Sequence, residues 1–410
     1  MVDTERRAVA VAFLALGSVT GTFASRLPWI SDKLHLSSGR LGIDLFMLAV
    51  GGMLAMPFAG RFVHRLGTKT TTRVLMVSSC SALALVAWAP NMILLGAAMG
   101  LIGASSGTSD MAINTQGIVV EQRLGRSVMS GLHGMWSVGV LISASIGSLA
   151  AHAHVDARVQ FGVMAPIIAA VAFVAAGWFT GAPAPADGTD GTGGADGTDG
   201  TGGEAVPRFV LPRGRILLIG LVGFCAIFGE IGANDWSAVY MHRTIHSSEA
   251  GAALATSLFA LTMAVGRLVG DHVVRRFGAA ATVRTCGVLG GAGGVLVVVS
   301  HAAIPAIAGF MLIGVGVSVV VPLVFAAAGH AAPNAAIGIA GVATISYGAG
   351  LAAPGIIGGI ADATSLRIAF AVVAVLTGLV AVGAGVLAPR PSSQPSGDPA
   401  DVEGDLLVVA

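Results

Sequence analysis

Asp110 stands in a run of apolar and small residues, 92–120, that is long enough to cross a bilayer and holds no lysine or arginine. An ionised side chain at that depth costs about 2.5–3.5 kcal/mol on insertion scales, so such residues face a water-filled path or a partner. Function is therefore the default reading for this carboxyl. At about 100° per residue, Gly103, Ser106, Asp110, Asn114, Gly117 and Glu121 fall on one helical face, with Met111 and Ile118 turned away. Gly103, Ser106 and Gly117 suit close helix packing; Asp110 does not, because Ser or Asn would serve packing at lower cost. Glu121 lies where the helix leaves the membrane, beside Arg123 and Arg126, and reads as half of a surface ion pair.

Three further clusters stand out from apolar surroundings. In 128–151, His133, Trp136 and Ser137 share a face: the imidazole either titrates near neutrality or bonds a backbone carbonyl, and the indole either stacks on a solute ring or packs as membrane aromatics do. In 216–241, Gly223, Ala226, Glu230, Asn234 and Ser237 form one stripe, while Asp235 and Trp236 point elsewhere. Arg26, on a face with Thr22 and Trp29, lies toward the outer end of 8–30 and is the one basic residue assigned to a span and not to a flanking segment. Asp44, near the outer end of 41–63, is expected to be solvated. A carboxyl facing an apolar cavity is cheaper neutral than charged, which makes Asp110 the expected proton carrier and Glu230 its competitor.

These groups need elements that cross a membrane, and composition supplies them. Of 410 residues, 55% are hydrophobic and only 10% charged, with a mean hydropathy of +0.85, whereas soluble domains run near ~25% charged. Apolar runs near the roughly 20 residues needed to span occur twelve times: at 8–30, 41–63, 74–89, 92–120, 128–151, 159–180, 216–241, 250–273, 282–300, 303–329, 335–360 and 368–387. With the N-terminus in the cytoplasm, 16 of the 22 lysines and arginines lie inside and five, Lys33, Arg40, Arg158, Arg243 and Arg367, lie outside. The positive-inside rule then places both termini in the cytoplasm, and the expected location is the inner membrane. Cys80, Cys225 and Cys286 occupy different runs without ligand spacing, so they read as core residues and no metal is expected. Glu5-Arg6-Arg7 precedes a run longer than a signal-peptide core and is read as opening a retained first helix.

One offset organises the chain. Arg65-Leu66-Gly67 through Arg73 recurs 211 residues later as Arg276-Phe277-Gly278 through Arg284, and the same offset joins Leu101-Ile102-Gly103 to Leu312-Ile313-Gly314, Gly139 to Gly350 and Ile146-Gly147 to Ile357-Gly358. Several matches in one register indicate duplication. Between the copies, ADGTDGTGG occurs at 186–194 and again at 195–203; with no apolar position to build a core it reads as a solvated, flexible linker. The tail from Pro389 is expected to be disordered. The expected organisation is an N-terminal six-helix bundle, 1–180, a cytoplasmic linker, 181–213, a C-terminal six-helix bundle, 214–388, and a disordered tail, 389–410.

The connection Gly60-Arg61-Phe62-Val63-His64-Arg65-Leu66-Gly67-Thr68-Lys69 resembles the loop signature of the major facilitator superfamily. Gly60, Arg65, Gly67 and Lys69 match it, and His64 stands where the family has an acid. The second half offers Arg267, Asp271 and Arg276 as counterparts. In the family this loop holds the cytoplasmic side closed through charge contacts, the role the resemblance extends to these residues. With twelve spans, a six-plus-six division and a central linker, the resemblance covers nearly the whole chain. It implies an all-α integral membrane fold, twelve transmembrane helices in two pseudo-symmetric six-helix bundles.

Asp110-Met111-Ala112-Ile113-Asn114 further resembles the Glu-x-x-x-Asn run of fucose-permease-like sugar transporters, in which the acid is linked to proton and sugar transport; that role carries onto Asp110 and Asn114. Spans one and seven face each other across a central cavity in the family, so Arg26 would pair with Glu230 or Asp235, as an outer gate or as charge neutralisation. The expected function is secondary active transport by alternating access, a proton-coupled import of a small polar solute such as a sugar, with proton-antiport efflux of amphipathic compounds as the alternative. A transporter-like sensor is a further one. No nucleophile motif, metal spacing or phosphate-cradling loop points to an enzyme. The expected partners are a small-molecule substrate and the lipid bilayer, with no cofactor, no nucleic acid and a monomeric state.

Overall fold

In hydrocarbon every backbone polar group must be satisfied within its own segment, so apolar runs become helices. The computed structural model describes residues 2–125, 128–180, 210–331, 335–388 and 406–408. The first half contains α1 (Val2–Ala24), α2 (Leu27–Lys33), α3 (Ser38–Trp88), α4 (Met92–Leu124), α5 (Met129–His152) and α6 (Ala157–Ala176). The second contains α7 (Gly214–Arg243), α8 (Glu249–Phe277), α9 (Ala279–Val299), α10 (Ala303–Val317), α11 (Val320–Ala331), α12 (Ala335–Ala363) and α13 (Leu366–Gly383).

Among the described residues, eleven helices are long and apolar enough to span a membrane. The expected number is twelve, and α3 accounts for the difference. Its 51 residues would extend roughly 76 Å if straight, more than twice a hydrocarbon core of ~30 Å. Instead it breaks at Gly67, φ 72° and ψ 162°, and the Thr71 hydroxyl donates to the Phe62 carbonyl at 3.2 Å, nine residues back and out of reach in a straight helix. Two spans therefore meet at this glycine.

The same backbone conformation recurs 211 residues later at Gly278, φ 81° and ψ 159°, between α8 and α9. Packing repeats with it. A Cβ on Gly103 would collide with the Leu48 carbonyl and one on Gly314 with the Phe259 carbonyl, and Leu48 and Phe259 are again 211 residues apart. In the first half α1 packs against α5 and α6; in the second α7 packs against α12 and α13. The halves meet along two seams, α3 with α12 and α5 with α8.

The turn at Gly67 lies at the end of the bundle that holds the start of α1, because Thr68 is bonded to Gln116 and Gln116 to Glu5; Gly278 lies at the same end, because α8 begins at Glu249, bonded to Arg26 past the other end of α1, and runs back to it. At the opposite, far end, side chains cap the helix starts. Ser37, Asn91, Asp156, Ser248 and Ser365 each accept a backbone N–H at the first turn of α3, α4, α6, α8 and α13, satisfying donors the helix leaves orphaned.

One expectation is corrected outside the membrane. Residues 210–212 and 406–408, read as linker and disordered tail, form a two-stranded antiparallel pair, β1 (Val210–Pro212) with β2 (Leu406–Val408), Val210 opposite Val408. Both are short apolar stretches at the edges of polar segments, so segment-wide composition hides them. The Asp-Gly repeats, 186–203, lie outside the described residues.

Candidate functional site

A cavity of about 210 Å³ lies between the halves, bounded by α1, α3 and α5 on one side and α7, α8 and α12 on the other. Trp136 and Ser137 reach it from α5, and Glu230, Asn234 and Asp235 from α7. Asp235, expected to point away from Glu230, lines the same space. The cavity wraps an arc of about 140° of α7, the angle that five residues subtend, so it takes in more than one stripe. Asn234 Nδ2 donates to Asp235 Oδ1 at 2.8 Å.

Arg267 crosses the α5–α8 seam. Its Nη2 donates to Glu230 Oε1 and its Nη1 to Ser137 Oγ, each at 3.0 Å, with Arg267 21% and Glu230 19% exposed. This corrects the assignment of Arg267 to a loop motif. It belongs to the span Glu249–Gly270, because eleven residues of helix, roughly 16 Å, separate it from the turn at Gly278.

The halves are also joined at the far end. Arg26, 2% exposed, sits in the break between α1 and α2. It donates to Glu249 Oε2 at 2.8 Å, Gln160 Oε1 at 2.6 Å and the Val155 carbonyl at 2.9 Å. The expected partners, Glu230 and Asp235, are too deep: Glu230 lies thirteen residues, roughly 20 Å of helix, before the end of α7, whereas Glu249 opens α8 beside Arg26. The contact between halves remains, with a different acid. Arg243 donates to Ser31, to Ser38 Oγ at 3.2 Å and to the Leu36 carbonyl at 2.5 Å. His242 is bonded to Asp32 at 2.7 Å, Ser37 donates to Asp362 at 2.7 Å, and Ser148 donates to the Ala250 carbonyl at 2.9 Å. Between described residues, no hydrogen bond or ion pair joins the halves on the Gly67 side of Arg267. Among the described residues, the polar contacts that close the cavity between the halves lie at the far end.

A sequence profile described as Major Facilitator Superfamily matches residues 8–353, with a second match over 219–407. The chain belongs to this superfamily. It is 34% identical over 387 residues to the transporter y4wD of Sinorhizobium fredii, covering 94% of this chain and 98% of that protein. To an MFS-type transporter of Yersinia pestis it is 32% identical over 379 residues, covering 91% and 93%. Among solved structures it superposes on the nucleoside transporter NupG with a TM-score of 0.72 at 10% identity, covering 94% of this chain and 100% of that one. On the Escherichia coli fucose:proton symporter FucP the TM-score is 0.61 at 15% identity, covering 94% and 98%. At such identities the likeness speaks for the fold. Members and relatives are transporters, not enzymes, and the chain is a multi-pass membrane protein.

Of the loop-motif residues, Gly67 and Lys69 make contacts or turns inside the first half. Gly67 makes the turn, and Lys69 Nζ donates to the Gly177 carbonyl at 2.8 Å, closing the end of α6. Arg65 and Arg276 are exposed and Gly60 half-buried; the side chain of Asp271 lies outside the described residues. Asp110 and Asn114 are half-buried on α4, where Asn114 Nδ2 donates to the Asp110 carbonyl at 2.9 Å; neither lines the cavity. His133, one turn from Trp136, is exposed, its ring 5.0 Å from that of Phe13. Asp44, expected to be solvated, is 1% exposed with Oδ2 unpartnered, since Gly96 of α4 packs over its carboxyl. Arg123 pairs with Glu5 at 2.9 Å, while Glu121 accepts the backbone N–H of Val128 and Met129 at 2.6 and 3.0 Å; Arg126 lies outside the described residues.

Proposed function

We propose that this chain is a secondary active transporter that imports a small polar solute, such as a sugar, by proton-coupled alternating access. The observation that carries the reading is a cavity between two repeated halves, sealed at the far end by Arg26–Glu249 and the Arg243 contacts and spanned at its wall by Arg267. Rocking one bundle against the other about a site between them is the economical way to expose such a cavity to each side in turn. Ser137, Glu230, Asn234 and Asp235 offer hydrogen-bonding groups for hydroxyls, and Trp136 a flat apolar face for a ring. NupG is a nucleoside transporter and FucP a fucose:proton symporter; ring-shaped, hydroxylated cargo suits a lining of this kind. With the termini in the cytoplasm of the inner membrane, as the lysine and arginine distribution favours, the far end faces outward and the cavity serves a monomer open to the inside. The proton is the coupling ion.

The test is uptake of labelled sugars and nucleosides into proteoliposomes under an imposed proton gradient. Accumulation that a protonophore abolishes is the expected result. No flux of any of these, with gradient-driven extrusion of amphipathic compounds instead, would replace import by antiport efflux.

A further inference from the structure

Four carboxyls within the apolar runs have described side chains, and they differ in what stands beside them. Glu230 is matched by Arg267 at 3.0 Å, so the pair is neutral as a unit and a proton would have to displace a guanidinium. Asp110 lies on α4 away from the cavity lining. Asp44 is enclosed between α3 and α4 of a single half, so movement of the halves need not change its surroundings. Asp235 lines the cavity as Glu230 does, but unlike Glu230 it takes part in no ion pair among the described residues; the hydrogen bond it accepts comes from its own neighbour, Asn234, at 2.8 Å.

Among the described residues, no cation is bonded to Asp235 itself. Among the lining residues α1 presents Thr20, α3 Leu48, α5 Trp136, α8 Phe259 and α12 Pro354, none titratable. The charged groups near the site are Glu230 of α7 itself and Arg267 of α8, which neutralise one another; His133 of α5 lies one turn beyond Trp136. Asp235 is therefore the cavity-lining carboxyl without an ion-pair partner among the described residues.

We propose that Asp235 is the proton-carrying carboxyl of the transport cycle. The inference rests on the reading of the chain as a proton-coupled transporter. Ionised, Asp235 requires water in the cavity, because closing first-half leucines over an unpaired carboxylate strips its hydration without return. Neutral, it lets the halves close. The proton adds to one carboxylate oxygen as an O–H from water on the open side and returns to water after the bundles rock; no other bond changes.

An infrared pH titration of the full-length protein in lipid tests the assignment without knowledge of the cargo. Of the carboxylic-acid C=O components that disappear as pH rises, one should be missing from Asp235→Asn and retained in Asp110→Asn, Asp44→Asn and Glu230→Gln. A full wild-type set of titrating components in Asp235→Asn overturns the proposal. If Asp235→Asn does not fold, Asp235→Glu must move the component in frequency and midpoint, and an unmoved component overturns it as well. Where a solute is transported, Asp235→Asn should keep solute counterflow without a gradient and lose gradient-driven accumulation. Retained accumulation, or loss of counterflow too, contradicts the role. Absence of flux for every solute would defeat the transport reading while the infrared result still decides this one.

Discussion

Arg267 spends its guanidinium on partners in different halves, Glu230 and Ser137, and that division makes it informative to remove. Breaking a buried pair from one side costs about 3–5 kcal/mol, while removing both charges is often near neutral. Because each side chain is about one-fifth exposed, Arg267→Ala should fall at the low end, about 3 kcal/mol. The double variant Arg267→Gln with Glu230→Gln should recover most of that loss. Thermal unfolding in detergent reads both, and a double variant no more stable than the single one would show that the pair contributes nothing as a pair. At this scale the sequence is legible in residue type and not in partnership. Glu230, Asn234, Trp136 and Ser137 were identifiable as polar groups on apolar faces, and the structure gathers them around one cavity. Their charges were not assignable, because partnership depends on depth across separate helices. Arg26 was matched to acids of α7 and finds Glu249, 223 residues away. Glu5, ahead of the first apolar run, gave no sign of its burial at 2% exposure among Gln116, Arg123 and Thr180, which lie 111 to 175 residues distant.

The elements repeat more faithfully than the residues do. Gly67 and Gly278 share a conformation with positive φ and extended ψ, a region essentially restricted to glycine that costs other residues about 1–3 kcal/mol. Nothing lies within 4 Å of where a Cβ would stand at either position, so the penalty is one of backbone alone. Gly67→Ala and Gly278→Ala should each lower stability by roughly 1–3 kcal/mol, by similar amounts in the two halves. A loss confined to one variant, measured by chemical unfolding in mixed micelles, would contradict their equivalence. These turns were legible because duplication leaves Arg-Leu-Gly and Arg-Phe-Gly at a fixed offset. The joining of two spans at Gly67 without a loop was not, since a single positive-φ residue ends one helix and starts the next with no loop whose composition could announce it. The strand pair at 210–212 and 406–408 was hidden for a related reason, three residues being too few to alter the character of a polar segment.

For the whole molecule, membrane class and twelve spans follow from apolar run length alone, and the division into halves follows from the 211-residue offset. What could not be read is which end is sealed. That depends on surfaces contributed by both halves, where Asp32, His242, Arg243 and Asp362 each look like ordinary loop charges until the bundles are placed together. The polar seal at the far end, and the lack of hydrogen bonds and ion pairs between described residues of the two halves on the Gly67 side, are the feature that favours alternating access. It is also the feature most directly open to measurement, by spin-label distances in lipid between exposed positions His35 and Thr364 at the far end and between Arg65 and Arg276 at the other. The account predicts two populations at each pair that change in opposite senses with pH, the far pair lengthening as the other shortens. Distances that stay fixed at both ends, or lengthen together, would contradict it.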